Sequence, residues 1–293
     1  MRIPAASPDA SYAALVFDDD GGELRQFRST TELPAADLDD MRELTELRCS
    51  GSAQPSVAGF RELQRRLAGV RDEELCVVDL RQESHGFVNG AAVSWYATNN
   101  WGCTGLSNDE ALALEALRLR LLELATRVRI GSVATIKHGA EPAFVEWDRP
   151  TVADEPQAFG LPHGRHVRLP VTDHARPSNA VVDRFIELVR GLRGAQHLHF
   201  HCRGGKGRTA TFMALHDLLR HGARRPLSDI LARQRILTGY DLTRPADPTR
   251  AKAPYVADRL AFLERFHAYV QHNPGGEAQP WSLWLAAQQA TAT

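Results

Sequence analysis

Apolar positions along the chain fall into three patterns, and each pattern predicts a different element. After Ser56, residues Phe60, Leu63 and Leu67 recur every three to four positions, the spacing of one helix face. Glu74-Leu75-Cys76-Val77-Val78-Asp79-Leu80 is a short apolar run rich in β-branched residues, and it predicts a buried strand. It empties into the polar stretch Arg81-Gln82-Glu83-Ser84-His85-Gly86, at the carboxyl end where open α/β sheets collect their sites. Ser107-Asn108-Asp109-Glu110 reads as a capping box opening a helix with Leu114, Leu117, Leu121 and Leu124 on its inward face. Residues 130–170 are broken by glycines and prolines. Their β-prone pieces (Ile130 to Ile136, Ala143 to Trp147, His166 to Pro170) predict a small β-rich insertion.

Helical spacing returns after Pro177-Ser178, with Val181, Val182, Phe185, Ile186, Val189 and Leu192 inward and Gly194 as a stop. His197-Leu198-His199-Phe200-His201 alternates like a strand and leads to Cys202. A helix is expected from Thr209 to His221, ended by Gly222, then others at about 228–237, 254–272 and near Trp281. Residues 1–26 are polar and turn-rich. Strand, loop and helix in repeated order predict an α/β fold with a mostly parallel central sheet flanked by helices.

Composition narrows the classes. The 293 residues suffice for a full core and for no more than about two domains. Lys and Arg number 35 against 36 Asp and Glu, a net charge of -1, which speaks against a broad basic face for nucleic acid. Any anion must therefore be met by a local cluster of cations. The apolar run Tyr12 to Phe17 is six residues long, too short for a signal-peptide core or a membrane span. The chain reads as soluble, and an exported precursor without its leader would read the same. The cysteines Cys49, Cys76, Cys103 and Cys202 lack the paired spacing of a zinc site, and a disulfide framework does not suit this length.

One segment carries chemistry. His201-Cys202-Arg203-Gly204-Gly205-Lys206-Gly207-Arg208-Thr209 lies between an expected strand and an expected helix. Gly204, Gly205 and Gly207 let the backbone curl so that successive N–H groups face one concavity, and the helix adds its positive end. That cradle fits a phosphate, with Arg203 and Lys206 on its rim. A cysteine at its mouth sits where helix ends and cations favour the sulfur anion. Arg208 can fold back to grip two phosphate oxygens. A buried core cysteine is the bland alternative for Cys202, but it leaves the glycines, the extra cations and Thr209 without a purpose.

The segment resembles the His-Cys-x5-Arg-Ser/Thr signature of the cysteine-dependent phosphatases. That resemblance implies attack by the Cys202 sulfur on phosphorus, a phosphocysteine, and its hydrolysis with help from the Thr209 hydroxyl. It implies no metal and no cofactor, the loop amides and Arg208 neutralising the phosphate oxygens. The leaving oxygen needs a proton, and Asp173, about 30 residues upstream in Val171-Thr172-Asp173-His174, is the candidate acid. A turn or cap role is its alternative.

A tighter resemblance covers roughly residues 27 to 285. Asp79 to Gly86, Val93-Ser94-Trp95-Tyr96, Thr172-Asp173-His174, Leu198 to Cys202 and Pro280-Trp281-Ser282-Leu283-Trp284-Leu285 look like the bacterial protein-tyrosine-phosphatase-like inositol polyphosphatases, the cysteine phytases. This family implies a phosphatase core over 27–129 and 166–290. It also implies a small partial barrel over 130–165 joined by part of the N-terminal segment, with 1–26 as an extension. Members are often exported. The implied substrate is myo-inositol hexakisphosphate in a wide cationic pocket, with Arg28, Asp79, His174 and Lys252 as matching residues. Arg81 and His85, on the strand-end loop, are further pocket candidates. Arg28 and Lys252 have ordinary surface alternatives, and Asp79 could cap the sheet end or hold Arg81. Two departures stand out. Arg203 and Lys206 occupy cradle positions where this family tends to be acidic or apolar, more like the phosphatase and tensin homologue. Val256 and Arg259 stand where a tyrosine and a lysine are expected. A phosphoinositide phosphatase, a protein tyrosine phosphatase and an inositol phosphate binder without turnover therefore remain as alternatives. The sequence gives no oligomeric state.

Overall fold

The computed structural model describes residues 13–33, 41–134 and 144–291. Part of the 1–26 extension, the end of the Ile130 to Ile136 piece and the start of the Ala143 to Trp147 piece lie outside the described residues. In chain order the strands are β1 (Ala14–Asp19), β2 (Arg28–Ser29), β3 (Cys49–Ala53), β4 (Leu75–Arg81), β5 (His85–Val88), β6 (Ala91–Tyr96), β7 (Arg127–Ile130), β8 (Val145–Asp148), β9 (Val152–Ala153), β10 (His166–Val171) and β11 (His197–Cys202). The α-helices are α1 (Val57–Arg66), α2 (Asn108–Leu124), α3 (Glu155–Phe159), α4 (Asn179–Gly191), α5 (Gly207–His221), α6 (Leu227–Thr238), α7 (Ala253–His272) and α8 (Trp281–Thr291). The fold is α/β. Its residues gather into two compact units, one drawn from 1–25, 54–69 and 81–166 and the other from 26–53, 70–80 and 167–293.

The first unit is built on an antiparallel sheet in the order β1-β6-β5-β9, with the β7–β8 hairpin beside it and Val16 bridging to Gly131. Val88, Val93, Val128 and Ile130 form one small core there. Phe60 of α1 stacks on Phe159 of α3 at 4.1 Å between ring centres, and Phe87 meets Phe159 edge-on at 5.1 Å. Strand pairing makes this unit wider than the 130–165 segment singled out in the sequence. β1, inside the turn-rich 1–26 stretch, pairs along its length with β6 and buries Val16 completely.

Helix α2 has the expected capping box, the Ser107 hydroxyl accepting from Glu110 N–H and the Glu110 carboxylate from Ser107 N–H. Its inward face is not the leucine stripe. Ala111, Glu115 and Leu119 are buried, whereas Leu117, Leu121 and Leu124 are 56%, 58% and 65% exposed. The inner face carries other contacts: the Glu115 carboxylate accepts the His85 N–H at 2.8 Å, and Leu119 packs closely on Gly86.

The second unit holds a five-stranded sheet in the order β10-β4-β11-β3-β2. β11 runs parallel to both β3 and β4, and β2 runs antiparallel to β3. Every residue of β11 is buried, as its central position requires. Leu198, Phe200 and Cys202 enter the large apolar core with Phe185 of α4 and Phe212 of α5. The alternate residues are histidines. His199 bonds the hydroxyls of Ser50 and Ser52 at 2.9 and 3.0 Å, and His197 shares Ser50 at 2.9 Å, so polar side chains lock β3 to β11. At the far end of the core Trp281 of α8 is buried against Phe262, Phe266 and Tyr269 of α7, and its indole N–H reaches Asn179 at 3.1 Å.

Candidate active site

The second unit places the nucleophile candidate at the last residue of β11. Parallel register sets Cys202 beside Ala53, the last residue of β3, so the loop leaves both strands at the sheet's carboxyl edge. The chain then turns through Arg203 to Lys206 and enters α5 at Gly207, with Lys206 as its N-cap. This turn demands glycine. Gly205 takes φ +64°, and a Cβ there would stand 2.3 Å from the Ala53 nitrogen. A Cβ on Gly207 would stand 2.9 Å from Nη1 of Arg259.

Around the sulfur the side chains converge. Thr209 Oγ1 donates to Cys202 Sγ at 3.2 Å. Arg208, almost wholly buried, donates through Nη1 to the Val171 carbonyl at 3.0 Å, and its Nη2 stands 3.3 Å from Oδ1 of Asp173. Val171 closes β10, so one guanidinium ties the start of α5 to the segment carrying the candidate acid. Asp173 accepts the His174 N–H at 2.9 Å. His174 sits at φ +69°, a left-handed conformation uncommon for a residue other than glycine. Burial lowers the pKa of the His174 imidazole; Asp173 opposes this, while Lys252, Arg208 and Arg259 push it lower still.

The remaining expected residues fall into two groups. Arg28, Asp79 and Lys252 belong to the second unit. Arg28 is buried, and its Nη1 donates to the carbonyls of Gln26 and Gly205. Burial lowers its pKa to about 10, with Cys202 as the leading opposing influence, so the guanidinium is charged at neutral pH. Asp79 is fully buried and pairs with Nε of Arg168 at 2.7 Å. Lys252 is half-buried and lines a cavity of about 540 Å³ with Tyr240, Asp241, Arg244, Asp247 and Arg250.

Arg81 and His85 belong to the first unit, in a buried network. Arg81 meets Asp18 at 2.7 Å and Glu83 at 2.9 Å, and His85 Nδ1 lies 3.2 Å from the Glu115 carboxylate. The sequence singles out Arg259 only as a departure and does not single out Tyr240. Arg259 is buried against Gly207, its Nη2 reaches the Tyr240 hydroxyl at 3.4 Å, and no carboxylate among the described residues pairs with it. A buried charge without a counter-charge costs free energy, which makes Arg259 a further candidate for anion binding.

The family model for PTP-like phytases, described by inositol hexakisphosphate, matches residues 78–220. A PTP-like phytase of Bdellovibrio bacteriovorus is 34% identical with a TM-score of 0.74, and the match covers 98% of each chain. A PTP-like myo-inositol phosphatase of Mitsuokella multacida, solved with myo-inositol-(1,3,4,5)-tetrakisphosphate, is 28% identical with a TM-score of 0.84. That match covers 98% of this chain and 49% of the other. Among curated proteins, Effector protein hopD2 of Pseudomonas syringae pv. tomato is 29% identical over 270 residues. The chain spans 57% of that relative's length.

Proposed function

The chain belongs to the family of PTP-like phytases, and from that membership we propose that it hydrolyses phosphate monoesters of inositol polyphosphates, myo-inositol hexakisphosphate among them, through a phosphocysteine. The observation that carries this reading is the cluster at the end of β11: Cys202 Sγ under the Thr209 hydroxyl, with Arg208 bridging to Asp173. Sγ attacks phosphorus in line and the ester P–O bond breaks. Its electron pair leaves on the inositol oxygen, which takes a proton from Asp173. Arg208 and the loop amides hold the equatorial oxygens, where charge spreads in the transition state. Water, deprotonated by Asp173, then displaces the sulfur, and the Thr209 hydrogen bond eases its departure as an anion.

The cavity beside Lys252 supports a multiply phosphorylated substrate. Its size suits a small polar ligand, and Arg244 and Lys252 have no ion-pair partner among the described residues. We read the first unit's sheet and its β7–β8 hairpin as the family's partial barrel. Arg203 and Lys206 on the cradle rim favour one second reading, a phosphoinositide headgroup as substrate.

One panel separates the readings: phosphate release from inositol hexakisphosphate, a short-chain phosphoinositide and a phosphotyrosine peptide, measured side by side. Highest kcat/KM on the soluble inositol phosphate is the expected outcome. Cys202→Ser should remove turnover while inositol hexakisphosphate still binds. Turnover retained by that variant refutes the phosphocysteine, and preference for the lipid or the peptide moves the assignment there.

A further inference from the structure

Arg28 matches a substrate-contacting arginine by resemblance, yet the one nitrogen of its guanidinium that hydrogen-bonds, Nη1, is held by backbone carbonyls of Gln26 and of the loop itself, while Nε and Nη2 are buried from solvent. It enters from β2, pairs across to Gly51 of β3, and donates to the carbonyl of Gly205 at the crest of the catalytic turn. Gly51 makes the entry possible. A Cβ there would stand 3.2 Å from Arg28 Nε and 2.7 Å from Thr209 Cγ2, so a larger residue would close the slot. No peptide bond in the described chain is cis. In a trans peptide the carbonyl and the following N–H point in opposite directions. Holding the Gly205 carbonyl toward Arg28 therefore turns the Lys206 N–H away from it. Burial of a charged guanidinium costs free energy, and nothing in apolar packing requires one here.

We propose that Arg28 is a positioning residue: by fixing the Gly205 carbonyl it locks the Gly205–Lys206 peptide so that the Lys206 amide faces the phosphoryl group, and it does not itself grip the substrate. The idea rests on the phosphatase reading above. It makes a prediction opposite to that of direct contact. A residue that grips remote phosphates matters only for substrates that have them, whereas a residue that aims a loop amide matters for every phosphate ester, and for phosphate alone.

The test uses the full chain, wild type and with Arg28→Met or Arg28→Lys. It compares kcat/KM on inositol hexakisphosphate and on nitrophenyl phosphate, together with competitive inhibition by inorganic phosphate. Misaiming one transition-state donor should lower kcat/KM roughly tenfold or more. For Arg28→Met the loss should match on both substrates within about threefold, fall mainly on kcat, and be accompanied by weaker inhibition by phosphate. Arg28→Lys, which keeps a donor for the carbonyl, should recover most of the activity, and guanidinium salt should partly rescue Arg28→Met. A loss confined to inositol hexakisphosphate overturns the proposal in favour of direct contact. So does unchanged activity, or a Lys variant no better than Met. If Arg28→Met does not fold, the two-substrate ratio in Arg28→Lys decides alone: a matched loss supports the proposal and a selective one sinks it. Wild type that cleaves nitrophenyl phosphate and ignores inositol hexakisphosphate would sink the substrate assignment only, leaving the aryl ester and phosphate arms to judge Arg28. Wild type inert on both would sink the phosphatase reading instead.

Discussion

Residues of the 201–209 segment were legible because they are contiguous. A nine-residue motif brings Cys202, Arg208 and Thr209 together whatever the rest of the chain does. Asp173 is a different case, since its meeting with Arg208 depends on β10 ending level with the loop. Its proposed role gives a direct expectation. Asp173→Asn should slow cleavage of inositol phosphates by about 10²–10⁴, because an alkoxide leaves badly without a proton. A nitrophenyl ester, whose leaving group is stable as an anion, should lose far less. Paired kcat measurements check this, and equal losses would remove Asp173 from the acid role. The residues that sequence could not place are those whose partners are remote. Asp79 meets Arg168, 89 positions on, and Arg259 meets Tyr240 on another segment. Such pairs leave no local pattern.

At the level of elements, periodicity found β4, β11, α4, α5, α6 and α7 within a residue or two of their ends, since each has a long apolar face against one core. It misread α2, whose inner face carries Ala111, Glu115 and Leu119 while three leucines lie exposed, and it passed over β1 and α3, which are short and half polar. Register also answers a redox question. Cys49 and Cys76 both lie level with Leu198, four residues before Cys202. At ~3.3 Å per residue that is about 13 Å along the sheet, beyond the ~7 Å Cα separation a disulfide allows. Mild oxidation should therefore yield no peptide linking Cys202 to either of them. Mass mapping under non-reducing conditions checks this, and such a peptide in folded protein would contradict the register.

For the molecule as a whole, two buried histidines, His197 of β11 and His216 of α5, are expected to weaken the fold in acid. Burial lowers the pKa of His197 to about 4 and of His216 to about 3, and neither ring nitrogen of His216 has a hydrogen-bond partner. Between those values and the ordinary 6.5, the unfolded chain takes up protons that the folded chain refuses. Stability is thus complete above pH ~6.5 and falls as pH drops toward 4, at up to about 1.4 kcal/mol per pH unit for each ring. Urea midpoints from pH 7 to 4.5 should show that slope, and His216→Leu should flatten it; a flat wild-type profile would refute the account. The α/β class was readable from element order, whereas the boundaries of the two compact units have no local signal, because each unit is assembled from three separated stretches. Finally, the cavity wall that bears Arg244, Arg250 and Lys252 is a surface loop between α6 and α7, outside every sheet. Its side chains can be exchanged without disturbing the packed core. On the proposed function, a lineage could drift from one phosphorylated alcohol to another there while its reaction stayed constant, and a protein engineer could graft a new recognition segment at the same place.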